Sequence, residues 1–212
     1  MQASSTKEKA PANAGLPNEI MELVLASSSV YRAELLSRLG IPFRIEYPNI
    51  DETRLENESP KSLVERLGRS KASVIAEQTN NALIIGSDQI AICNDRVLGK
   101  PGDHETAVDQ LLFLSGKRIT FLTSLCLINS ISHKESLKTI STNVTLRELS
   151  HTQILHYLDK EKPFNCAGSF KSEGLGIALI KSIKSEDHSA LVGLPLIELC
   201  NMLSKEGALI LG

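Results

Sequence analysis

The residues best able to do chemistry occur where their polarity is costly. Leu83-Ile84-Ile85-Gly86-Ser87-Asp88-Gln89-Ile90-Ala91-Ile92 reads as a buried strand interrupted by a polar triplet, with turn residues Asn94 and Asp95 after it. A carboxylate in such a strand needs a cation or a metal ion beside it. Asp88 is therefore either a structural acid satisfying a neighbouring loop or a site acid, a base or a metal ligand. Lys71 poses the same question from a helix. That helix starts at Ser59-Pro60, with Ser59 as N-cap and Pro60 in the first turn. It carries Leu63, Leu67 and Val74 as an inward stripe flanked by Val64 and Ile75. Lys71 falls inside the stripe, where an ammonium needs an anion or water, and this favours a functional role.

A third polar group points the same way. Met21 to Ala26 reads as a short strand, Ser27-Ser28-Ser29 as a turn, and the residues to Leu39 as a helix closed by Gly40. Arg32 lies three and four residues before Leu35 and Leu36, on their inward side. A strand, a serine turn and a helix N-terminus form an anion site, and a guanidinium can grip phosphate with two donors. The alternative is that the serines only cap and Arg32 snorkels to water; this stretch alone does not choose. Lys100, in Gly99-Lys100-Pro101 after a hairpin turn at Cys93 to Arg96, is a further candidate cation, although lysines in such loops are ordinarily solvated. Asp51-Glu52 follows Ile50 in a polar loop, where acids are ordinarily solvated too.

These groups must be positioned by alternating elements. Phe43 to Tyr47 is expected to be a strand. Asp103 caps a helix with Ala107, Val108, Leu111 and Leu112 inward, stopping at Gly116. Ile119 to Ile128 and Glu135 to Leu149 pattern as two long antiparallel strands, and Ser150 with Gln153 forms a capping box for a helix to Leu158. His151 and His156 read as surface helix positions. The glycine-rich run from Cys166 to Ile177 matches neither a dinucleotide fingerprint nor a phosphate loop, and it would put Lys171 and Glu173 on one side if extended. Leu191 to Leu196 is an apolar turn into a last helix reaching Leu203. The expectation is an α/β fold with a mixed β-sheet flanked by helices.

Bulk properties bound the function. The chain has 212 residues and a net charge of −2, so a general nucleic-acid or membrane surface is not indicated, while a single nucleotide could still bind a local cluster of cations. The four cysteines, Cys93, Cys126, Cys166 and Cys200, show no metal-like spacing. Met1 to Lys7 lacks the apolar core of a signal peptide, and the protein is expected to be cytoplasmic with reduced thiols. Residues 1–19 read as a disordered tail and residues 20–212 as a single domain.

Taken together, seven segments resemble the Maf family of nucleoside triphosphate pyrophosphatases. They are Leu25-Ala26-Ser27-Ser28-Ser29-Val30-Tyr31-Arg32, Asp51-Glu52, Arg69-Ser70-Lys71-Ala72, Gly86-Ser87-Asp88-Gln89, Gly99-Lys100-Pro101, Leu114-Ser115-Gly116-Lys117 and Val192-Gly193-Leu194-Pro195-Leu196. Cys166 to Gly174, with Gln89, resembles the subgroup acting on 7-methyl-GTP. The chain departs from the family at Val30, where a proline is usual, and at Tyr31, where this subgroup often has tryptophan. The resemblance implies an elongated fold of two lobes around a central cleft, a divalent metal ion (Mg²⁺ or Mn²⁺), a nucleoside triphosphate substrate and a homodimer. It further implies hydrolysis between the α- and β-phosphates, with Asp88, Lys71 and Arg32 catalytic and Ser27, Ser29 and Lys100 on the phosphates. Glu52 and Asp88 would hold the metal, and Tyr31, Gln89 and Glu173 would read the base. The alternatives are the same reaction on dTTP, UTP or another modified nucleotide, and a nucleotide-binding regulator of cell division without turnover.

Overall fold

The computed structural model describes residues 21–208, 210 and 211, so the expected tail over residues 1–19 lies outside the described residues. Seven strands form one mixed sheet in the order β2-β1-β3-β5-β6-β7, with β4 paired to β3 beside this path. The strands are β1 (Glu22–Ala26), β2 (Arg44–Glu46), β3 (Ala82–Cys93), β4 (Arg96–Leu98), β5 (Arg118–Asn129), β6 (Glu135–Leu146) and β7 (Ile180–Lys184). Pairing of β1 with β2 and with β3 is parallel, and every other pairing is antiparallel. The helices are α1 (Val30–Ser37), α2 (Pro60–Ala76), α3 (His104–Leu114), α4 (His151–Glu161) and α5 (Leu196–Lys205). Among the described residues no helix is long and apolar enough to cross a membrane.

Local chemistry accounts for most of these boundaries. Ser29, Ser59, Asp103 and Ser150 each accept a backbone N–H as N-caps, and Ser150 with Gln153 completes the expected capping box. Asn94 and Asp95 both take positive φ, the backbone a two-residue hairpin requires, and so fold β4 back on β3. His151 and His156 are exposed, as expected.

Four details differ from expectation, besides shifts of two or three residues in the ends of α3, α4 and α5. Helix α1 stops at Ser37, because Arg38, Leu39 and Gly40 bond to carbonyls three residues back and tighten the chain before Gly40 turns with φ +68°. Strand β6 ends at Leu146, because Arg147 donates to Leu179 and Leu149 donates to the Ser115 hydroxyl. Leu112 is exposed while Gln110 is buried, its Oε1 accepting from Ser169 at 2.7 Å. On α2, Ile75 is buried and Val74 only partly so.

Two apolar masses share the long strands β3 and β5. One, around Leu25, Leu35, Ile85, Leu125 and Leu199, joins β1, α1 and α5 to the first half of β3; Val24, Ala72, Ile75 and Ile84 back it on the α2 face. The other, around Ala91, Leu111, Phe121, Tyr157 and Phe170, gathers α3 and α4 on the second half. The chain thus has the expected two lobes, and Ser87, Asp88 and Gln89 stand at their junction. On its outer edge β3 pairs with β1 over Ala82 to Gly86 and with β4 over Ala91 to Cys93. Among the described residues no strand pairs with residues 87–90 on that side. The break lies beyond the carboxyl end of the parallel strand β1, where open α/β sheets place their ligands.

Candidate active site

The cleft at this break has a volume of about 640 Å³, in the range of small-molecule sites. Its lining includes every residue singled out from the sequence: Ser27, Ser29, Tyr31, Arg32, Glu52, Lys71, Asp88, Gln89, Lys100 and Glu173.

The centre of one end of the cleft is one ammonium between two carboxylates. Lys71 Nζ donates to Asp88 Oδ1 at 2.7 Å and lies 2.8 Å from Glu52 Oε1. The Lys71 and Asp88 side chains are only 8% and 10% exposed, so neither charge is left to bulk water. Asp88 Oδ2 makes no hydrogen bond among the described residues and is open to solvent in the cleft.

This pair exists because α2 lies unusually close to β3. A Cβ on Gly86 would stand 2.2 Å from the Gly68 carbonyl and 2.8 Å from Ala72 N, and one on Gly68 would stand 2.3 Å from Ser124 Oγ. The two glycines let the backbones approach, and Ser124 fastens them. Its hydroxyl donates to the Val64 carbonyl on α2 at 2.7 Å and accepts the Asp88 N–H at 3.2 Å.

Glu52 arrives on a loop that α2 also holds. Arg66 grips both oxygens of Glu58 at 2.7 and 2.9 Å and donates to the carbonyl of Thr53, next to Glu52, at 2.9 Å. Partial burial raises the pKa of Glu52, but the Lys71 hydrogen bond and the charges of Lys71, Lys100 and Arg32 outweigh it and hold the carboxyl below its ordinary value.

Arg32 faces inward from α1, which decides between its two readings. Its Nε donates to the Gly193 carbonyl at 2.9 Å and its NH1 to Ser27 Oγ at 3.4 Å. Desolvation lowers its pKa, opposed by the negative charges of Asp88 and Glu52. The Ser27 hydroxyl also accepts the Ser29 N–H at 3.1 Å, and Ser29 Oγ caps α1 through Arg32 N. The serines thus both cap and line the cleft. Lys100 is exposed on its loop at the cleft wall.

The far end of the cleft is built differently. The Tyr31 ring carries Lys171 Nζ 5.6 Å from its centroid, and Cys166 lies beside its hydroxyl. Burial, followed by Cys166, pushes the phenol upward in pKa. Glu173 is exposed on a turn, touched by Ser172 at 3.3 Å. That segment is a turn followed by a 3₁₀ stretch at Leu175–Leu179, so the extended alternative for Lys171 and Glu173 is not realised. Instead Lys171 pairs with Glu161 at 2.8 Å. Gln89 spends its amide nitrogen on Thr123 and on the carbonyls of Ala190 and Leu191, at 2.8 to 3.1 Å. Among the described residues its oxygen has no such bond, and the side chain lines the cleft.

Several positioning residues were not singled out by sequence reasoning: Ser124, Gly68, Arg66, Glu161 and the Gly193 carbonyl. Gly68 did leave a signal, since an isolated glycine inside a helical pattern often marks close packing. Gly193, at φ +121°, offers its carbonyl to both Arg32 and Ser87, with Ser87 Oγ at 2.9 Å.

Asp88 and Glu52 can be tested as metal ligands by their chemistry. Both are oxygen donors, and among the described residues no cluster of three or more His, Cys, Asp or Glu could hold an ion unaided. A two-carboxylate set suits Mg²⁺ or Mn²⁺, ions that keep waters and share their coordination with substrate phosphates. The donors fit such an ion.

The family model described as Maf-like protein matches residues 22–206. A protein of Nitrosococcus oceani named 7-methyl-GTP pyrophosphatase is 51% identical over 185 residues, which is 87% of this chain and 93% of that one. Proteins of the same name from Alcanivorax borkumensis and Pseudomonas putida are 52% and 49% identical, covering 87% and 90% of this chain and 94% and 100% of theirs. The chain belongs to the Maf-like protein family.

Proposed function

We propose that this chain is a nucleoside triphosphate pyrophosphatase that hydrolyses 7-methyl-GTP to 7-methyl-GMP and pyrophosphate. The observation that carries the reading is Lys71, buried and bridging Asp88 and Glu52, in a cleft whose same end holds Arg32, Ser27 and Lys100. A purely structural ion pair does not call for two further cations beside it. A polyphosphate does. Relatives named for this activity support the substrate.

The triphosphate lies along Arg32, Lys71 and Lys100, with the Ser27 and Ser29 hydroxyls on its oxygens. Water attacks the α-phosphorus, Asp88 takes the proton at its free Oδ2, and the bond from that phosphorus to the bridging oxygen breaks, so that pyrophosphate leaves with the electron pair. Lys71 and Arg32 stabilise the charge that gathers on the leaving group. Glu52 and Asp88 would hold a divalent ion, which supplies further charge neutralisation and acidifies water. Tyr31 stacks on the base, which is cationic when methylated at N7. Glu173 accepts from the guanine N1 and N2 hydrogens, and the Gln89 oxygen is a further acceptor. The same reading makes the enzyme a cytoplasmic homodimer, to be checked by light scattering.

The test is pyrophosphate release from 7-methyl-GTP, GTP, dTTP, UTP and CTP with and without Mg²⁺. Metal-dependent turnover with the highest kcat/KM on 7-methyl-GTP is expected. A pyrimidine nucleotide as best substrate overturns the base assignment, and binding without pyrophosphate release overturns the enzyme.

A further inference from the structure

Two of the three residues proposed to meet the base, Tyr31 and Glu173, are held by neighbours outside the cleft lining. Lys171 stands over the Tyr31 ring, and neither Lys171 nor its partner Glu161 lines the cavity. Glu161, the last residue of α4, is nearly enclosed, with 13% of its side chain exposed. One of its oxygens pairs with Lys171 Nζ at 2.8 Å, and the other accepts the Leu175 N–H at 2.6 Å. A single carboxylate thus grips the chain on both sides of Glu173.

The rest of the turn is fastened to the same support. Tyr157, one helical turn earlier on α4, accepts the Lys171 N–H at 3.0 Å. A Cβ on Gly174 would lie 2.5 Å from a Glu161 oxygen, and one on Gly176 would lie 2.3 Å from the Lys171 carbonyl. Gly176 is required by this closure, and a side chain at Gly174 would displace the Glu161 carboxylate. The Lys171 hydrogen bond, with the Leu175 N–H next, holds Glu161 ionised below its ordinary carboxylate range.

We propose that Glu161 and Lys171 form a positioning pair for base recognition: Glu161 sets the turn that presents Glu173, and Lys171 backs the Tyr31 ring. The inference rests on the base-end reading given above and deepens it. Neither residue touches substrate. The Lys171 ammonium also occupies one face of Tyr31, so the base has the other face. Glu161 cancels the lysine charge, so the base end keeps the single negative charge of Glu173 for a cationic base.

The experiment measures kcat and KM for wild type, Glu161→Gln, Glu161→Ala and Lys171→Met on the five-nucleotide panel, with melting temperatures alongside. Glu161→Gln retains an acceptor for Leu175 but loses the ion pair; Glu161→Ala loses both. KM for the preferred nucleotide should rise about threefold in Glu161→Gln and in Lys171→Met, and about tenfold in Glu161→Ala, the scale of lost charge-assisted hydrogen bonds. kcat should stay within about twofold, and KM for the poorest nucleotide should not move. Should Glu161→Ala fail to fold, the other two variants carry the test. Unchanged KM, or KM rising equally for all five nucleotides, or kcat falling in step, overturns the inference while leaving the base reading standing. A wild type without preference among the nucleotides overturns both.

Discussion

The two ends of the cleft are made of different material. At the phosphate end the functional groups stand on the central strand, on two helices, on the serine turn, on the loop stapled by Arg66 and, for Lys100, on an exposed loop, and the key pair is buried. Three cations face two carboxylates there, an excess of one positive charge. At the base end Glu173 sits on a turn ahead of a 3₁₀ stretch, Tyr31 and Lys171 are only half-buried, and two carboxylates face one lysine. A rigid, positive end and a softer, negative end match a ligand that is a polyphosphate at one terminus and a cationic base at the other. The difference teaches where each property is stored. On the proposed reading, chemistry rests on backbone packing that tolerates little change, and selectivity rests on a turn tied to α4 by a few polar bonds.

Breaking the phosphate end should have the largest effect. Lys71→Met leaves Asp88 and Glu52 facing each other without their shared cation, and kcat should fall about 100-fold, the scale of a lost charge-stabilising donor. Steady-state pyrophosphate release checks this. Gly86→Ala tests whether helix packing is what brings the pair together. The added methyl would meet the Gly68 carbonyl, so α2 must shift. A loss of about 1–3 kcal/mol in denaturant unfolding and a fall of about tenfold in kcat are expected, as for overpacking that moves a catalytic group. Unchanged activity in a destabilised variant would separate packing from catalysis.

Glu173→Gln probes the soft end. Preference for 7-methyl-GTP over UTP should narrow about tenfold, chiefly through KM, the scale of one charge-assisted hydrogen bond. An unchanged ratio removes Glu173 from recognition. The smallest effect is on pH, where the comparison itself should vanish. Glu52 at one end and Glu161 at the other both lie below the ordinary glutamate pKa of 4.5, as does Glu58, held by Arg66. A depressed carboxylate adds stability that is complete above its unfolded pKa and is lost as the pH falls through its lower folded value. Melting temperatures should therefore be flat as the pH falls from neutral toward 4.5 and decline below it, with both ends contributing. A decline beginning near pH 6, where histidine titrates, would contradict this.

Much of the phosphate end was legible in the sequence because its residues violate a pattern. Asp88 interrupts an apolar strand and Lys71 interrupts an apolar stripe, so each announces that something must satisfy it. Arg32 and the serine turn were half legible, since capping and anion binding use the same residues, and only the Gly193 carbonyl decides where the guanidinium points. What remained hidden was non-local. The open edge of β3 at residues 87–90 depends on where β1 ends and β4 begins, which no local periodicity records. The turn that presents Glu173 is set by Tyr157 and Glu161, 14 residues before Lys171 and Leu175 respectively. Leu112 was expected inward and is exposed, while Gln110 is buried because its amide found Ser169, a partner 59 residues away.

The central claim is that Asp88 acts on water in a cleft arranged around a triphosphate, and Asp88→Asn addresses it with least disturbance, since Lys71 keeps Glu52 as its ion-pair partner. Under saturating 7-methyl-GTP and Mg²⁺, kcat for pyrophosphate release should fall at least about 100-fold, the range of a lost general base, while the melting temperature stays near that of the wild type. A folded Asp88→Asn enzyme that turns over at close to the wild-type rate would contradict the account.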